Sequence, residues 1–359
     1  MTQARVNLAP SATIDAPDAA APHDVAPSRT LTVVWQVSPD AILETDTIVE
    51  LFERTGHRIE SVIDLHHRWI GPGAVIVSDG LARDGIEMRD YLARFRALGL
   101  PVAVMHVADE FAQAPVDFYP QAAFVLRQCW RSEVMSAPNV VFVPIGYKKG
   151  FREHVEARPI AQRRYQWVFA GCVRGRLSRR AMAWHAKRIP GGLISESGVF
   201  NDSSSLGFPE YVKLLCDAKF CLAPGGNRLP ETYRFYEALI AGAIPVVEVV
   251  TAPKLLWTVF RDLVSAPRRR TYGTFTRRYW RDVAWWLRHP DFWTEVFGPD
   301  FPCPRVRHWR ELPDVVARTD VVACAAATTA FWEAWQARLH ARVATLATER
   351  LLEPAIVDR

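Results

Sequence analysis

The sequence predicts an α/β protein built from two parallel-sheet domains, and three observations carry that expectation. Apolar runs without the in-out alternation of half-buried strands recur along the chain, as in "GAVIVSDG" (73–80) and "LPVAVMHVADE" (100–110). A strand that is apolar on both sides must be covered on both faces, which is the condition of a parallel sheet. Segments of helical period separate these runs, such as "DTIVELFERTG" (46–56) and "GIEMRDYLARFRALG" (85–99), and strands alternating with helices build parallel α/β layers. The series occurs twice, broken by the polar stretch "REHVEARPIAQRRYQ" (152–166), and 359 residues are too many for one small domain.

Taken in order, residues 1–29 are rich in Ala, Pro and Asp without apolar periodicity and read as a disordered leader. Residues 30–151 read as an N-terminal Rossmann-like domain, opening on the strand "LTVVWQV" (31–37) and closing on "NVVFVPIGYKKGF" (139–151). Residues 152–327 read as a second such domain: strand "WVFAG" (167–171), helix 176–189, strand "GGLISESG" (191–198), helix 208–218, strand "KFCLAP" (219–224), helix 230–242 and strand "AIPVVEVV" (243–250). Residues 328–359 read as a long amphipathic helix and tail that cross back to the first domain. Two Rossmann-like parallel-sheet domains facing a cleft match the GT-B architecture of many nucleotide-sugar glycosyltransferases.

Composition narrows the classes further. The hydrophobic fraction of 49% and charged fraction of 23% are ordinary for a soluble globular protein. No apolar run reaches the roughly 18 residues that span a bilayer, and the N-terminus lacks a signal-peptide pattern. The six cysteines contain no Cys-x-x-Cys pair, so no zinc site or disulfide framework is expected and a reducing, cytoplasmic setting fits. The net charge of +5 is modest and mostly arginine, clustered at 174–180 and 261–288. Nucleic acid is not an expected partner, because the tryptophans sit in helix-like patterns rather than interleaving with the basic residues on one platform. The histidines lack ligand spacing, and there is no Gly-x-Gly-x-x-Gly, Walker, Asp-x-Asp or Gly-x-Ser-x-Gly motif. The basic, tryptophan-rich "RRYWRDVAWWLRHPDFW" (277–293) admits two readings: a peripheral contact with an anionic membrane, or an arginine-studded helix with its tryptophans in the core.

The stretch "CLAPGGNRLPETYRFYEALIAGAIPVVEVV" (221–250) concentrates polar residues on one helix between two apolar strands. Pro230 suits the first helical position and Gly242 the position just past the end. The amides of 230–233 would then face Gly225, Gly226 and Asn227, and a glycine turn feeding a helix start favours an anion. Glu237 lies about 9 Å further along the axis, within reach of a ribose whose phosphates cap the helix. The blander alternative is an Arg234–Glu237 pair at i, i+3.

Around these residues the sequence resembles the exostosin-like glycosyltransferases. Their donor segment runs from a strand and small-residue turn into "Ser/Thr-x-Arg-hydrophobic-x-Glu-Ala" and then "Gly-x-x-Pro-Val". Thr232, Arg234, Glu237, Ala238, Gly242, Pro245 and Val246 match it here. "VFAG" followed by Arg179 is similar to the family's strand-loop-arginine segment, and "VPIGYKKGF" looks like the "Pro-Leu-Gly-Tyr" segment of the ribitol-xylosyltransferase branch, with Ile145 in place of Leu. The resemblance covers roughly 139–250. It implies a GT-B fold, a nucleotide-sugar donor, inversion at the sugar and no essential metal. The α-1,3-fucosyltransferases are a second resemblance, through "Ala-Gly-x-x-Pro-Val"; their helix carries a Glu-Lys pair where this chain has Glu231 and no nearby lysine.

The candidate donor-binding set is therefore Gly171, Arg174, Arg179, Arg180, Gly225, Gly226, Asn227, Glu231, Thr232, Tyr233, Arg234 and Glu237. The arginines would neutralise the leaving diphosphate, so no metal and no cofactor is expected. An inverting transfer also needs a base for the acceptor hydroxyl. Asp109 and Glu110, at the end of a buried strand, and Asp79 in the equivalent position of "VSDG" are the candidates, with a turn or cap role as the alternative for each. The expected function is a metal-independent, inverting glycosyltransferase that moves a sugar, UDP-linked by preference, to a glycan or lipid-linked acceptor. The alternatives are a GDP-fucose enzyme and a non-catalytic sugar-nucleotide-binding scaffold.

Overall fold

The computed structural model describes residues 30–110, 114–156, 158–174, 177–198, 206–226, 229–265 and 277–353. The expected leader, Arg176 and Asn227 lie outside the described residues.

In the first domain the chain runs β1 (Thr30–Trp35), α1 (Thr45–Glu53), β2 (Arg58–Ile63), β3 (Ala74–Ser78), α2 (Met88–Ala97), β4 (Val102–His106), β5 (Val125–Arg127), α3 (Ser132–Met135) and β6 (Val140–Phe142). The strands form one parallel sheet in the order β2-β1-β3-β4-β5-β6. The register aligns Val34, Ile76, Val104 and Val125 in one row on one face. That row packs against Tyr91, Leu92 and Phe95 of α2. Trp35, Val77, Met105 and Leu126 form the adjacent row on the other face, over Ile48, Leu51 and Phe52 of α1. This two-sided burial is why β3 and β4 read as unbroken apolar runs. In the edge strand β2 only Ile59 and Val62 are half-buried, and the other four residues are exposed.

The second domain continues with β7 (Tyr165–Gly171), α4 (Leu177–Ala186), β8 (Gly192–Glu196), α5 (Phe208–Cys216), β9 (Ala218–Ala223), α6 (Tyr233–Ile240) and β10 (Ile244–Glu248). It closes with α7 (Ala252–Ser265), α8 (Arg277–Arg288), α9 (Phe292–Phe297), β11 (Arg305–Val306), α10 (Leu312–Arg318) and α11 (Val321–Ala347). Its sheet is again all parallel, ordered β8-β7-β9-β10-β11. Helix α4 covers one face through Met182, Ala183 and Ala186. Helices α5 and α6 cover the other through Val212, Leu215 and Ala238.

Helix α11 starts at Val321, seven residues before the sequence suggests, because the Asp320 carboxylate caps the amides of Val322 and Ala323 at 3.0 Å each. The helix begins beside the second sheet, where Cys324 and Ala325 pack, and ends in the first core with Val343, Leu346 and Ala347. An aromatic seam also joins the domains: Trp130 and Phe142 of the first meet Trp286, Phe297 and Trp335 of the second. Within 277–293, Phe292 and Trp293 are buried, and Trp285 and Trp286 pack on Trp130 at 4.1 and 6.0 Å in tilted contacts, so three of the four tryptophans face protein and Trp280 is exposed. Two Rossmann-like parallel sheets thus face each other across a cleft, the GT-B arrangement.

Candidate active site

Reversal of strand order marks where an open parallel sheet binds ligands, outside the carboxyl ends of its strands. In the second sheet that reversal falls between β7 and β9. A cavity of about 740 Å³ opens there, lined by Ala170 and Gly171 at the end of β7 and by Gly226 after β9. Its opposite wall comes from the carboxyl ends of the first sheet: Ala108 and Glu110 after β4, and Gln128 and Cys129 after β5. Ala108 and Cys129 hold φ of 61° and 57°, a left-handed backbone that costs a non-glycine residue about 1 kcal/mol or more. Both strained residues sit on the cavity wall, where the surrounding fold must enforce their conformation.

Helix α6 begins later than the sequence suggests. Gly226 donates its amide to the Leu229 carbonyl at 2.8 Å, so Leu229 and Pro230 belong to a turn. Thr232, extended at φ −147° and ψ 155°, takes the capping position, and α6 starts at Tyr233. The amides that open toward the glycine turn are therefore those of the turn from 233 onward. The Thr232 hydroxyl makes no capping bond and has no partner among the described residues. A Cβ on Gly226 would lie 2.9 Å from the Glu231 carbonyl, so only glycine fits that turn without displacement.

Three cations shape the cavity. Arg179 on α4 donates to the Cys172 carbonyl at 3.1 Å and the Gly225 carbonyl at 3.3 Å, tying the loop after β7 to the glycine turn. Arg234 donates through Nε and Nη2 to the Ala170 carbonyl at 3.1 and 2.6 Å, and lies over the Phe169 ring. Lys148, from the "VPIGYKKGF" segment of the first domain, also reaches the cavity. Arg174 and Arg180 are exposed and do not line it; Arg174 pairs with Glu196 at 3.4 Å.

Glu237 lines the cavity but is only 1% exposed. Its carboxylate accepts from the Tyr211 hydroxyl at 2.5 Å and from the Lys148 amide at 3.4 Å. Burial raises its pKa, against the pull of the Lys148 charge and the Tyr211 hydroxyl. Arg234 is committed to the Ala170 carbonyl, so the i, i+3 ion pair expected as the bland alternative does not form.

Carboxylates cluster toward the first domain. Tyr233 donates its hydroxyl to Glu44 at 2.8 Å across the cleft, and burial raises the Glu44 pKa. Glu231 accepts from the Tyr236 hydroxyl at 2.6 Å; burial pushes its carboxyl up to about 7, with Glu110 and Glu44 adding to the rise. Of the three candidate bases, only Glu110 lines the cavity. Asp109 is buried, accepting from Arg127 at 2.6 Å, Arg131 at 3.1 Å and the Ala114 amide at 3.0 Å. Burial alone would raise its pKa, but Arg127 holds it below the ordinary value. Asp79 is paired with Arg83 at 2.8 Å and caps the Leu81 amide, as a turn aspartate does.

Glu44, Lys148, Tyr211 and Cys129 join the site without having been singled out by sequence. Lys148 alone carried a signal, since it lies in the quoted "VPIGYKKGF" segment. Among the described residues no group of three or more His, Cys, Asp or Glu side chains is placed to hold a metal ion.

No known protein family and no curated protein matches the chain. Its fold is similar to that of an α1,3-fucosyltransferase, with a TM-score of 0.35 and 12% identity over 60% of this chain and 68% of the other. It is also similar to an α-glucosyltransferase solved with UDP-glucose and DNA containing an abasic site, with a TM-score of 0.36 and 8% identity over 80% of this chain and 99% of the other. Both of these structural neighbours are glycosyltransferases.

Proposed function

We propose that this chain is an inverting, metal-independent glycosyltransferase that moves a sugar from a nucleotide sugar to a glycan or lipid-linked acceptor. The observation that carries the reading is the cavity at the β7/β9 reversal, with a glycine turn, a helix start and Arg179 on one wall and Glu110 on the other. The donor diphosphate sits against the Gly225–Gly226 turn and the first amides of α6, where the helix dipole and amides favour negative charge. Glu237, about one turn further along, accepts from the ribose hydroxyls. The resemblance of 139–250 to the exostosin-like family, and to its ribitol-xylosyltransferase branch, favours a UDP-linked donor.

In the reaction, Glu110 takes the proton of the acceptor hydroxyl as that oxygen attacks the anomeric carbon. The bond between the anomeric carbon and the diphosphate oxygen breaks on the opposite face, which inverts the centre. Arg179 and the helix amides meet the charge that develops on the leaving diphosphate. Asp109 and Arg127 hold the loop that carries Glu110.

Incubating the protein with UDP- and GDP-linked sugars in EDTA, and measuring nucleoside diphosphate release, tests this reading. Release from one nucleotide class, sustained in chelator and faster with a glycan acceptor, is the expected result. A folded protein that releases diphosphate from no donor would be a binding scaffold. Activity lost in EDTA and restored by manganese would remove the arginine-and-amide mechanism.

A further inference from the structure

We propose that the cavity selects a donor whose transferred sugar is neutral and hydroxyl-rich, and that Glu231 and Gln128 read that sugar. The inference rests on the nucleotide-sugar reading above and names the sugar class for the same site. In a nucleotide sugar the ribose, diphosphate and sugar follow one another in line. With the ribose on Glu237 and the diphosphate at the start of α6, the sugar falls on the residues before Tyr233. Glu231 lies two residues ahead of that start and lines the cavity. It faces the first domain. Burial raises its carboxyl, with Glu110 and Glu44 adding to the rise, and burial followed by the Glu231 charge raises the Cys129 thiol. Gln128 precedes Cys129 on that facing wall.

Both side chains carry an unmet hydrogen bond. Glu231 and Gln128 are 3% and 1% exposed. One carboxylate oxygen of Glu231 accepts from the Tyr236 hydroxyl, and Oε1 has no partner among the described residues. Gln128 donates through Nε2 to the Pro144 carbonyl at 3.4 Å, and its Oε1 likewise has none. The Thr232 hydroxyl, next to Glu231, is a third such oxygen on the cavity. Buried acceptors left without donors are costly, and a ring carrying several hydroxyls supplies donors from one rigid ligand. Charge then narrows the class. The three cations on the cavity hold its other end: Arg179 and Arg234 at the carbonyls of Cys172, Gly225 and Ala170, and Lys148 beside Glu237. At the sugar end the wall presents the carboxyls of Glu44, Glu110 and Glu231. Arg127 and Arg131 pair with Asp109 and do not line the cavity. A uronate carboxylate brought to this end meets like charge, whereas a neutral sugar does not.

The test is calorimetry on the full chain in EDTA at pH 8, where Glu231, titrating near 7, is ionised. The probes are bare UDP and GDP, UDP-glucose with UDP-glucuronate, and GDP-mannose with GDP-mannuronate. Each sugar pair differs only at C6, a hydroxymethyl group against a carboxylate. For the nucleotide that binds, the neutral donor is expected to bind roughly tenfold more tightly than its uronate. Glu231→Gln should shrink that ratio, because it removes one of the repelling charges. Gln128→Leu should weaken the neutral donor roughly fivefold more than the bare diphosphate, the worth of one neutral hydrogen bond. Melting curves check that both variants fold, and if one does not, the other and the wild-type ratio decide. A uronate that binds as tightly as its neutral counterpart would overturn the proposal and leave the nucleotide reading standing. So would variants that weaken sugar donor and bare diphosphate equally. Binding of neither UDP nor GDP would remove the nucleotide reading and this proposal with it.

Discussion

Two neighbouring carboxylates, Asp109 and Glu110, follow β4 and have opposite fates. Asp109 is 7% exposed and held by Arg127 and Arg131; Glu110 lines the cavity. Asp109→Asn should therefore destabilise the fold by about 3–5 kcal/mol, the cost of leaving buried cations without their anion. Glu110→Gln should leave the melting curve in place and cut turnover about 10²–10⁴-fold, while nucleotide affinity stays near that of the wild type. Normal turnover in folded Glu110→Gln would move the base elsewhere. Glu231 offers a pH test. Its carboxyl is raised from 4.5 to about 7, so between those values the folded state holds a proton that the unfolded state has lost. Folding is favoured below the unfolded value, loses stability as pH rises to about 7, and changes no further from this group above it. The full effect is on the order of 1–3 kcal/mol. Thermal melts should accordingly show Glu231→Gln more stable than wild type at pH 8 and equal to it near pH 4; a pH-independent difference would contradict the assignment.

At the scale of elements, the alternation of apolar runs and amphipathic segments located most of the strands, because burial on both faces leaves a mark; β5 and β11, three and two residues long, are too short to carry it. Where helices start was less legible. Pro230 reads as a first helical residue, but the bond from Gly226 to Leu229 folds it into the preceding turn, and nothing local reveals that closure. Convergence was harder still. Glu44 and Tyr233 meet 189 residues apart, and Tyr211 reaches Glu237 from α5, so neither partner carries a sequence signal of its own. The motif residues were legible for the opposite reason: turn, helix and strand are contiguous there. Gly171 tests how tightly these elements fit. It holds φ at +141°, and a Cβ would lie 2.6 Å from Arg234 Nη2. Gly171→Ala should displace the guanidinium from the Ala170 carbonyl and weaken donor binding about tenfold, the worth of one charged hydrogen bond. Calorimetry showing unchanged affinity would mean that Arg234 position is immaterial to the donor.

Across the whole molecule, α11, the aromatic seam and the Tyr233–Glu44 bond fasten the two domains so that the carboxyl ends of both sheets share one cavity. Arg179 and Arg234 line the wall formed by the second domain, and Glu44 and Glu110 line the wall formed by the first. The central claim is that a nucleoside diphosphate binds at the start of α6 with its ribose on Glu237. Isothermal titration of UDP and GDP into the wild type and into Glu237→Gln, both in EDTA, tests it most directly. The expected result is saturable binding of one nucleotide by the wild type, weakened by about 1–3 kcal/mol in a folded Glu237→Gln. Binding of neither nucleotide, or equal affinity in both proteins, would contradict it.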